Sequence, residues 1–159
     1  MSQQTDQDQL AKAVADGMYP RDNAAQALGV KIFDVKAGAA AARMTVREDM
    51  LNFHGTCHGG ILYALAGSVL AYVINGDNRA AVAQSGSITY TRAAQLGDDL
   101  TARCRVVNQA GRSGVYDVEI TNQNDDTVAL FRGQSSKIKG ESVPGLDAEF
   151  GGTGPLNLE

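Results

Sequence analysis

The feature that most constrains this chain is an apolar run from Ile61 to Ile74, which directly follows the polar, glycine-rich stretch NFHGTCHGG. Apart from two tyrosines, the run contains one polar side chain, Ser68, and one glycine, Gly67. A helix that is apolar on every side cannot lie on a surface. The run is also shorter than the ~20 residues that a membrane-spanning helix needs. The sequence therefore predicts one long helix inside the core of a soluble domain.

Strand-like patterns with a period of two residues lie on both sides of this helix. Two runs precede it within 30–46, and a break at 36–38 separates them. Four runs follow it, at 87–91, 100–106, 116–121 and 127–131. The links between the last four are short and rich in turn residues, which is typical of antiparallel neighbours. The sequence predicts an α+β fold in which a curved antiparallel β-sheet wraps around one long buried helix.

The two ends of the chain differ from this central pattern. Residues 8–28 contain two short helical pieces, of which the second is capped by Asp22 and stopped by Gly29. The end of the chain beyond residue 139 is rich in glycine and proline. We predict a flexible N-terminal segment over 1–20, a folded domain over 21–139 and a flexible tail over 140–159.

Composition and charge narrow the partners and the location. The chain is 43% hydrophobic and 20% charged, and its net charge is -4. This balance gives no basic surface for nucleic acid or an anionic membrane, so we expect neither as a partner. The N-terminal residues have no pattern of a secretory signal. The cysteines, Cys57 and Cys104, have no metal-binding spacing and form no disulfide framework, so we expect a cytoplasmic protein without a metal.

Several motifs in order resemble the hotdog-fold acyl-CoA thioesterases, most closely the PaaI-like phenylacetyl-CoA branch. They are Asn52, then His58-Gly59-Gly60 opening the apolar helix, then the segments GVYDVEITNQ and ALFRGQSSKI. The resemblance implies hydrolysis of an aryl-acetyl or hydroxyaryl-acetyl CoA thioester to the free acid and CoA. It also implies a homo-tetramer built as a dimer of dimers, with active sites between two subunits. Coenzyme A is then part of the substrate, and no separate cofactor is expected.

The start of the apolar helix is the predicted catalytic region. Free N–H groups at a helix N-terminus stabilise negative charge, so Gly59 and Gly60 are candidates to hold the oxyanion of a thioester. These glycines could instead only shape a tight turn. His58 could orient the loop or the substrate, or cap the helix through its ring. Asn52 matches a position that lines the family's site, although an Asn in a loop is often a turn residue.

Gly67 occupies the position where the resemblance implies a catalytic acid. In the family, the residue eight past the first glycine of His-Gly-Gly is Asp or Glu, and it acts across the dimer interface as general base or nucleophile. Here that residue is Gly67, about 12 Å along the helix from Gly59 at 1.5 Å per residue. A glycine inside a helix costs about 1 kcal/mol relative to alanine, and no packing reason for it is evident from the sequence.

Three explanations for Gly67 stay open. The chain could be a thioesterase that has lost its acid and is therefore impaired. Another group, such as Ser68, Asp49 or Asp77, could supply the base. The chain could also be a non-catalytic acyl-CoA-binding protein. A hotdog dehydratase would need a His/Asp pair beside the helix, and we find none there.

The residues that would hold the CoA phosphates are less clearly marked. The family resemblance suggests the turn with Arg112 and Ser113 as a contact for pantetheine and phosphate. Arg92, which follows a strand, falls at what the family makes a rim of the site. Lys137 and Lys139 are candidates by charge alone. Each of these cations could equally be a solvated surface charge.

Overall fold

The computed structural model describes residues 2–150, in which six antiparallel strands form one sheet against a central helix. The helices are α1 (Gln3–Met18), α2 (Asn23–Ala27) and α3 (Gly59–Ile74). The strands are β1 (Lys31–Lys36), β2 (Ala39–Thr45), β3 (Arg79–Tyr90), β4 (Asp99–Ala110), β5 (Ser113–Thr121) and β6 (Thr127–Glu141). The strand order across the sheet is β1-β2-β4-β5-β6-β3. This arrangement confirms the predicted α+β hotdog fold and the predicted order of its elements.

Alternation along the central strands determines which face of the sheet covers α3. On β4, Ala102 and Cys104 are buried whereas Arg103 and Arg105 are exposed. On β5 the even-numbered residues are buried in the same way. The buried residues join those of α3 in one hydrophobic cluster. The period of two predicted from the sequence therefore separates an inner, apolar face from an outer, charged face.

Strand β3 is longer than the sequence pattern predicts. It begins at Arg79, eight residues before the predicted run, and its register against β6 shifts between Ala83 and Ser85. Because a bulge interrupts the alternation of side chains, the first part of the strand has no clear period of two. Within residues 2–150, β3 pairs only with β6, so its other edge is open.

Helix α3 is buried along most of its circumference but not all of it. Leu65, Ala66 and Val69 are completely buried. Tyr63 is 39% exposed, and Gly67 on the same side is half-buried. The prediction of burial on every side is therefore wrong for one stripe of the helix, which faces the open edge at β3. In the described part of the chain, no helix is long and apolar enough to cross a membrane.

The N-terminal segment predicted to be flexible contains helix α1, and this helix packs on the fold. Ala11, Val14 and Ala15 on α1 are buried. The predicted cap of the next helix is confirmed, because the Asp22 side chain accepts a hydrogen bond from the Ala25 N–H. Gly29, the predicted stop, has a φ of +70°. The domain boundaries at 21 and 139 stay a prediction.

The start of the predicted flexible tail is held in place by Asn78. The Asn78 side chain accepts from the Val143 N–H at 2.8 Å and donates to the Val143 carbonyl and to Asp147. Asn78 is fully buried and has a positive φ of 61°. Residues 142–147 therefore belong to the packed structure, because a buried amide binds the Val143 backbone and the Asp147 carboxylate. Residues 151–159 of the predicted tail lie outside the described residues.

Lys137 closes the C-terminal end of α3. Its side chain is only 5% exposed, and its Nζ donates to the Ile74 carbonyl at 2.8 Å and to Asp77 Oδ1 at 2.7 Å. A helix leaves its last carbonyls without partners, and a cation is favourable at that end. Lys137 is therefore a structural cap, and its assignment as a candidate for the CoA phosphates is corrected.

We expect Lys137→Met to lower the free energy of unfolding by about 1–3 kcal/mol, since the buried Ile74 carbonyl loses its partner. Lys139→Met is the matched control, because Lys139 is exposed on the same strand. Urea denaturation of both variants measures the difference. Equal stability of the two variants would show that the buried ammonium does not support the helix end.

Candidate active site

His58 caps the N-terminus of α3 with its ring. The Gly60 N–H donates to His58 Nδ1 at 2.8 Å, and the His58 N–H donates to the Met50 carbonyl, also at 2.8 Å. The ring therefore accepts a hydrogen bond from one of the N–H groups that have no partner within the helix at this end. The sequence leaves open whether His58 orients the substrate or caps the helix, and the structure shows the capping geometry. It also explains Gly60, because a Cβ there would lie 3.0 Å from Nδ1.

Gly59 presents the amide that remains open at this helix end. Its N–H has no hydrogen-bond acceptor among residues 2–150, whereas its carbonyl accepts from the Tyr90 hydroxyl at 2.7 Å. A Cβ at Gly59 would lie 2.8 Å from the Tyr90 ring, so only glycine fits without a shift of that ring. Gly59 is thus fixed by its packing against Tyr90 and also has an available N–H. An oxyanion donor requires both.

Tyr90 was not singled out by the sequence analysis. It lies at the end of β3 and belongs to an alternating run, which gives no sign of a contact with a helix N-terminus. Only the packing of β3 against α3 brings the two together.

Asn52 organises the loop that leads into the helix. Its Oδ1 accepts from the N–H groups of His54 and Thr56 at 3.0 and 3.2 Å. Its backbone N–H donates to the Thr56 carbonyl at 2.8 Å. These bonds match the turn interpretation of Asn52. A direct role beside the thioester stays a prediction.

Cys57 lies next to this helix end but is poorly suited to be a nucleophile. The residue is 5% exposed, and burial raises the pKa of its thiol to about 11. Since the thiolate is the reactive form, very little of it is present near neutral pH. Cys57 therefore serves as a small buried side chain in this loop.

Gly67 has no steric reason to be glycine. A Cβ built at this position meets no heavy atom within 4 Å, apart from chain neighbours and the backbone of its own helix. The residue is half-buried on the open stripe of α3. A side chain can therefore begin here without a clash at its Cβ, on the same helix face as Gly60, seven residues earlier.

The alternative bases named from the sequence are poorly placed within one chain. Asp49 is held by the Arg47 guanidinium at 3.0 Å, which keeps the pKa of that carboxyl below its usual value. Asp77 pairs with Lys137 at the opposite end of α3. Ser68 is half-buried beside Gly67, and no histidine or carboxylate accepts from its hydroxyl in the described chain. None of the three has the geometry of an activated base.

The predicted CoA residues divide between the two ends of the sheet. Arg92 lies near Tyr90, and it forms an ion pair of 3.8 Å with Asp126. Ser113 instead pairs with Ser136, which in turn pairs with Val82 at the far end of β3. From Val82 to Tyr90 is about 26 Å at 3.3 Å per residue, so Arg112 and Ser113 do not approach Gly59 within one chain.

A broad cleft of about 760 Å³ lies on the outer face of the sheet, away from α3. Asp117 lies in this cleft between Arg132 and Arg105, at 2.7 and 3.6 Å. The bond from Arg132 and the nearby charge of Arg105 hold the pKa of Asp117 below its usual range. The cleft has charged walls but no open helix terminus, so it does not share the chemistry of the α3 site.

Comparison with known proteins agrees with this fold. Residues 54–129 match the Thioesterase superfamily. The chain is 47% identical to the acyl-coenzyme A thioesterase PaaI of Escherichia coli K12 over 79% of this chain and 90% of that protein. A solved structure of E. coli PaaI, from the phenylacetic acid degradation operon, superposes with a TM-score of 0.83 at 45% identity. The match covers 84% of this chain and 97% of that one.

A more distant solved structure contains coenzyme A. It is a hypothetical thioesterase protein from Streptococcus pneumoniae TIGR4, with a TM-score of 0.67 at 28% identity over 70% of this chain and 90% of that one. The chain therefore belongs to the Thioesterase superfamily, in its PaaI-like, hotdog-fold branch of thioester hydrolases.

We expect His58→Ala to lower the free energy of unfolding by about 1 kcal/mol, because the helix loses its N-terminal cap. His58→Asn should recover most of that loss, since Asn is also a favourable N-cap residue. Thermal or urea denaturation measures both. If Ala and Asn behave alike, the bond from Gly60 to the ring is not what stabilises this helix end.

Proposed function

We propose that the chain is an acyl-CoA thioesterase scaffold whose catalytic acid is missing at Gly67, so that it binds acyl-CoA thioesters and hydrolyses them slowly. The acyl group is proposed to be an aryl-acetyl or hydroxyaryl-acetyl group. The observation that carries this proposal is the open space around Gly67, in a helix whose N-terminus still presents the Gly59 N–H. The helix N-terminus still presents the Gly59 N–H, which has no acceptor among residues 2–150.

The relatives support the choice of substrate class. The E. coli relative is named an acyl-coenzyme A thioesterase, and it comes from a phenylacetic acid degradation operon. The S. pneumoniae structure contains coenzyme A. In this chain, the Gly59 N–H would receive the thioester oxyanion, and the positive end of the α3 dipole would add to it. The acid that should activate water is the group that Gly67 does not supply.

The placement of the CoA residues supports a site shared between two copies. β3 is twelve residues long and has an open edge, which is a favourable place for another chain to pair. If two β3 edges pair antiparallel about an axis near Gly86, residue 82 of one copy lies opposite residue 90 of the other. That pairing would bring Arg112 and Ser113 of one copy to the Gly59 end of its partner. The homo-tetramer expected from the resemblance would then be two such dimers.

The same proposal includes a cytoplasmic location. Both cysteines are free and buried, which suits a reducing compartment.

Gly67→Asp should release CoA from phenylacetyl-CoA at least about 100-fold faster than the original chain, because a general base contributes roughly 10²–10⁴-fold. Gly67→Asn is the matched control, since asparagine has the shape of aspartate but no carboxylate. Gly67→Ala should stabilise the helix by up to about 1 kcal/mol and stay slow. A thiol-release assay and urea denaturation cover all three variants.

The outcomes separate the proposal from its rivals. Equal, fast turnover by the original chain and all variants would place the base elsewhere. If every variant is inactive and yet binds acyl-CoA thioesters, the chain is a binding protein and the hydrolytic proposal fails.

Sedimentation equilibrium should give a mass of at least two chains, and four if the dimers associate. The physical reason is that Arg112 and Gly59 of one chain are far apart. A second copy would place its own Arg112 near this Gly59. A chain that stays monomeric while Gly67→Asp is fully active would contradict the shared site.

A further inference from the structure

Gly59 and Gly60 open the first turn of α3, where the proposed site needs a fixed geometry but the backbone has the most freedom. Glycine reaches conformations that other residues avoid, so two in succession leave the direction of the Gly59 N–H poorly determined by local sterics. Ordering such residues costs conformational entropy. An oxyanion donor is effective because it is oriented before the reaction begins. The direction of this N–H therefore depends on contacts from outside the two glycines.

The peptide unit that contains the Gly59 N–H is held at its carbonyl. That carbonyl belongs to His58, and it accepts from the Ile61 N–H at 2.9 Å and from the Leu62 N–H at 3.3 Å. Bonds of this kind belong to the first turn of a helix. They fix one of the two peptide planes that meet at the Gly59 Cα.

The second peptide plane at Gly59 is held at both of its polar atoms by side chains. Its oxygen, the Gly59 carbonyl, accepts from the Tyr90 hydroxyl at 2.7 Å. Its N–H, on Gly60, donates to His58 Nδ1 at 2.8 Å. Since the backbone has only two soft dihedral angles per residue, fixing both planes determines the conformation of Gly59 and the direction of its N–H. His58 is a neighbour in the chain, whereas Tyr90 lies 31 residues away.

Tyr90 is itself attached firmly to the sheet. Its backbone pairs with Ala129 on β6. The Thr91 N–H donates to the Val128 carbonyl at 2.9 Å, and the Thr91 hydroxyl donates to the Thr127 carbonyl at 2.9 Å. Ala129 and Val128 are completely buried. The ring of Tyr90 therefore extends from a well-anchored strand end to the start of the helix.

Core packing does not explain the hydroxyl of Tyr90. The residue is 49% exposed, and its bond to the Gly59 carbonyl is exposed as well. A hydrogen bond that water can replace contributes little to stability. A phenylalanine would keep the contact between the ring and Gly59. The hydroxyl adds a bond to the peptide unit beside the open N–H, which the ring alone does not supply.

The geometry points to Tyr90 as a positioning residue, whose hydroxyl orients the Gly59 N–H toward the thioester oxygen without contacting the substrate. This inference rests on the proposed function and adds a residue to its oxyanion site. Removing an oxyanion donor costs about 10²–10³-fold in kcat, and losing a group that only orients the donor should cost less. We expect a loss of about 5- to 30-fold without the Tyr90 hydroxyl.

The first test measures the motion of the Gly59 N–H and needs neither substrate nor turnover. NMR relaxation of the backbone amide nitrogens gives its order parameter in the original chain and in Tyr90→Phe. A rigid amide has a value of about 0.85 and a flexible one a value below about 0.6. The Gly59 value should fall from the rigid range toward the flexible range in Tyr90→Phe. Tyr19→Phe is the matched control, because the Tyr19 hydroxyl also donates to a backbone carbonyl, that of Val30, at 2.8 Å, and it should leave Gly59 unchanged.

The second test measures hydrolysis of phenylacetyl-CoA by the Gly67→Asp chain. Adding Tyr90→Phe should lower kcat by about 5- to 30-fold and leave KM within about twofold, because the thioester still binds while its oxyanion is less well stabilised. A residue that contacts the acyl group would instead raise KM. Adding Tyr19→Phe should change neither constant. Thermal denaturation checks that every variant is folded.

These measurements separate the role of Tyr90 from the hydrolytic proposal. An unchanged Gly59 order parameter in Tyr90→Phe overturns the role, and so does an unchanged kcat in an active Gly67→Asp chain. If Gly67→Asp is inactive, the hydrolytic proposal fails, and the NMR shift of the Gly59 N–H on binding phenylacetyl-CoA decides about Tyr90. A downfield shift in the original chain that is smaller in Tyr90→Phe supports the role. Equal shifts, or no shift in either chain, overturn it.

Discussion

Burial of α3 against the inner face of the sheet is the constraint on which the rest of the structure depends. Leu65, Ala66 and Val69 are completely removed from solvent, and each fully buried Leu or Val contributes about 1.5–3 kcal/mol. Both ends of the helix are then fixed by specific bonds. His58 holds the first turn, and Lys137 closes the last. A helix fixed in this way presents the Gly59 N–H at a constant position, which a binding site for a developing negative charge requires.

The incomplete cover of α3 is as informative as its burial. A sheet of six strands covers most of the helix but ends at β3, and one stripe of the helix stays open beside that edge. The open stripe contains Gly60, Tyr63 and Gly67, and the Gly59 N–H that is proposed to receive the oxyanion lies at its start. The outer face of the sheet is different in character, because its arginines and Asp117 already satisfy one another. The two faces therefore have separate roles: one builds the site, and the other presents paired charges.

The glycines of this region fall into two groups that only their surroundings distinguish. At Gly59, Gly86 and Gly133, a neighbouring ring already occupies the space of a Cβ. At Gly67 that space is empty. A glycine in a helix interior without a packing reason is a net cost to stability. Packing within one chain therefore does not require a glycine at position 67, in contrast to the other three positions.

The sequence by itself determined the class of fold and the start of the central helix, because hydrophobic periodicity depends on residue order alone. A period of two around a continuous apolar run predicted the sheet and its central helix, and His58-Gly59-Gly60 marked the helix start. The sequence did not reveal that Tyr90 packs on Gly59, that Lys137 is buried or that the N-terminal helix packs on the fold. These depend on contacts between residues far apart in the chain. Tertiary structure also decided which glycines are required by packing, since that depends on the atoms a missing Cβ would meet.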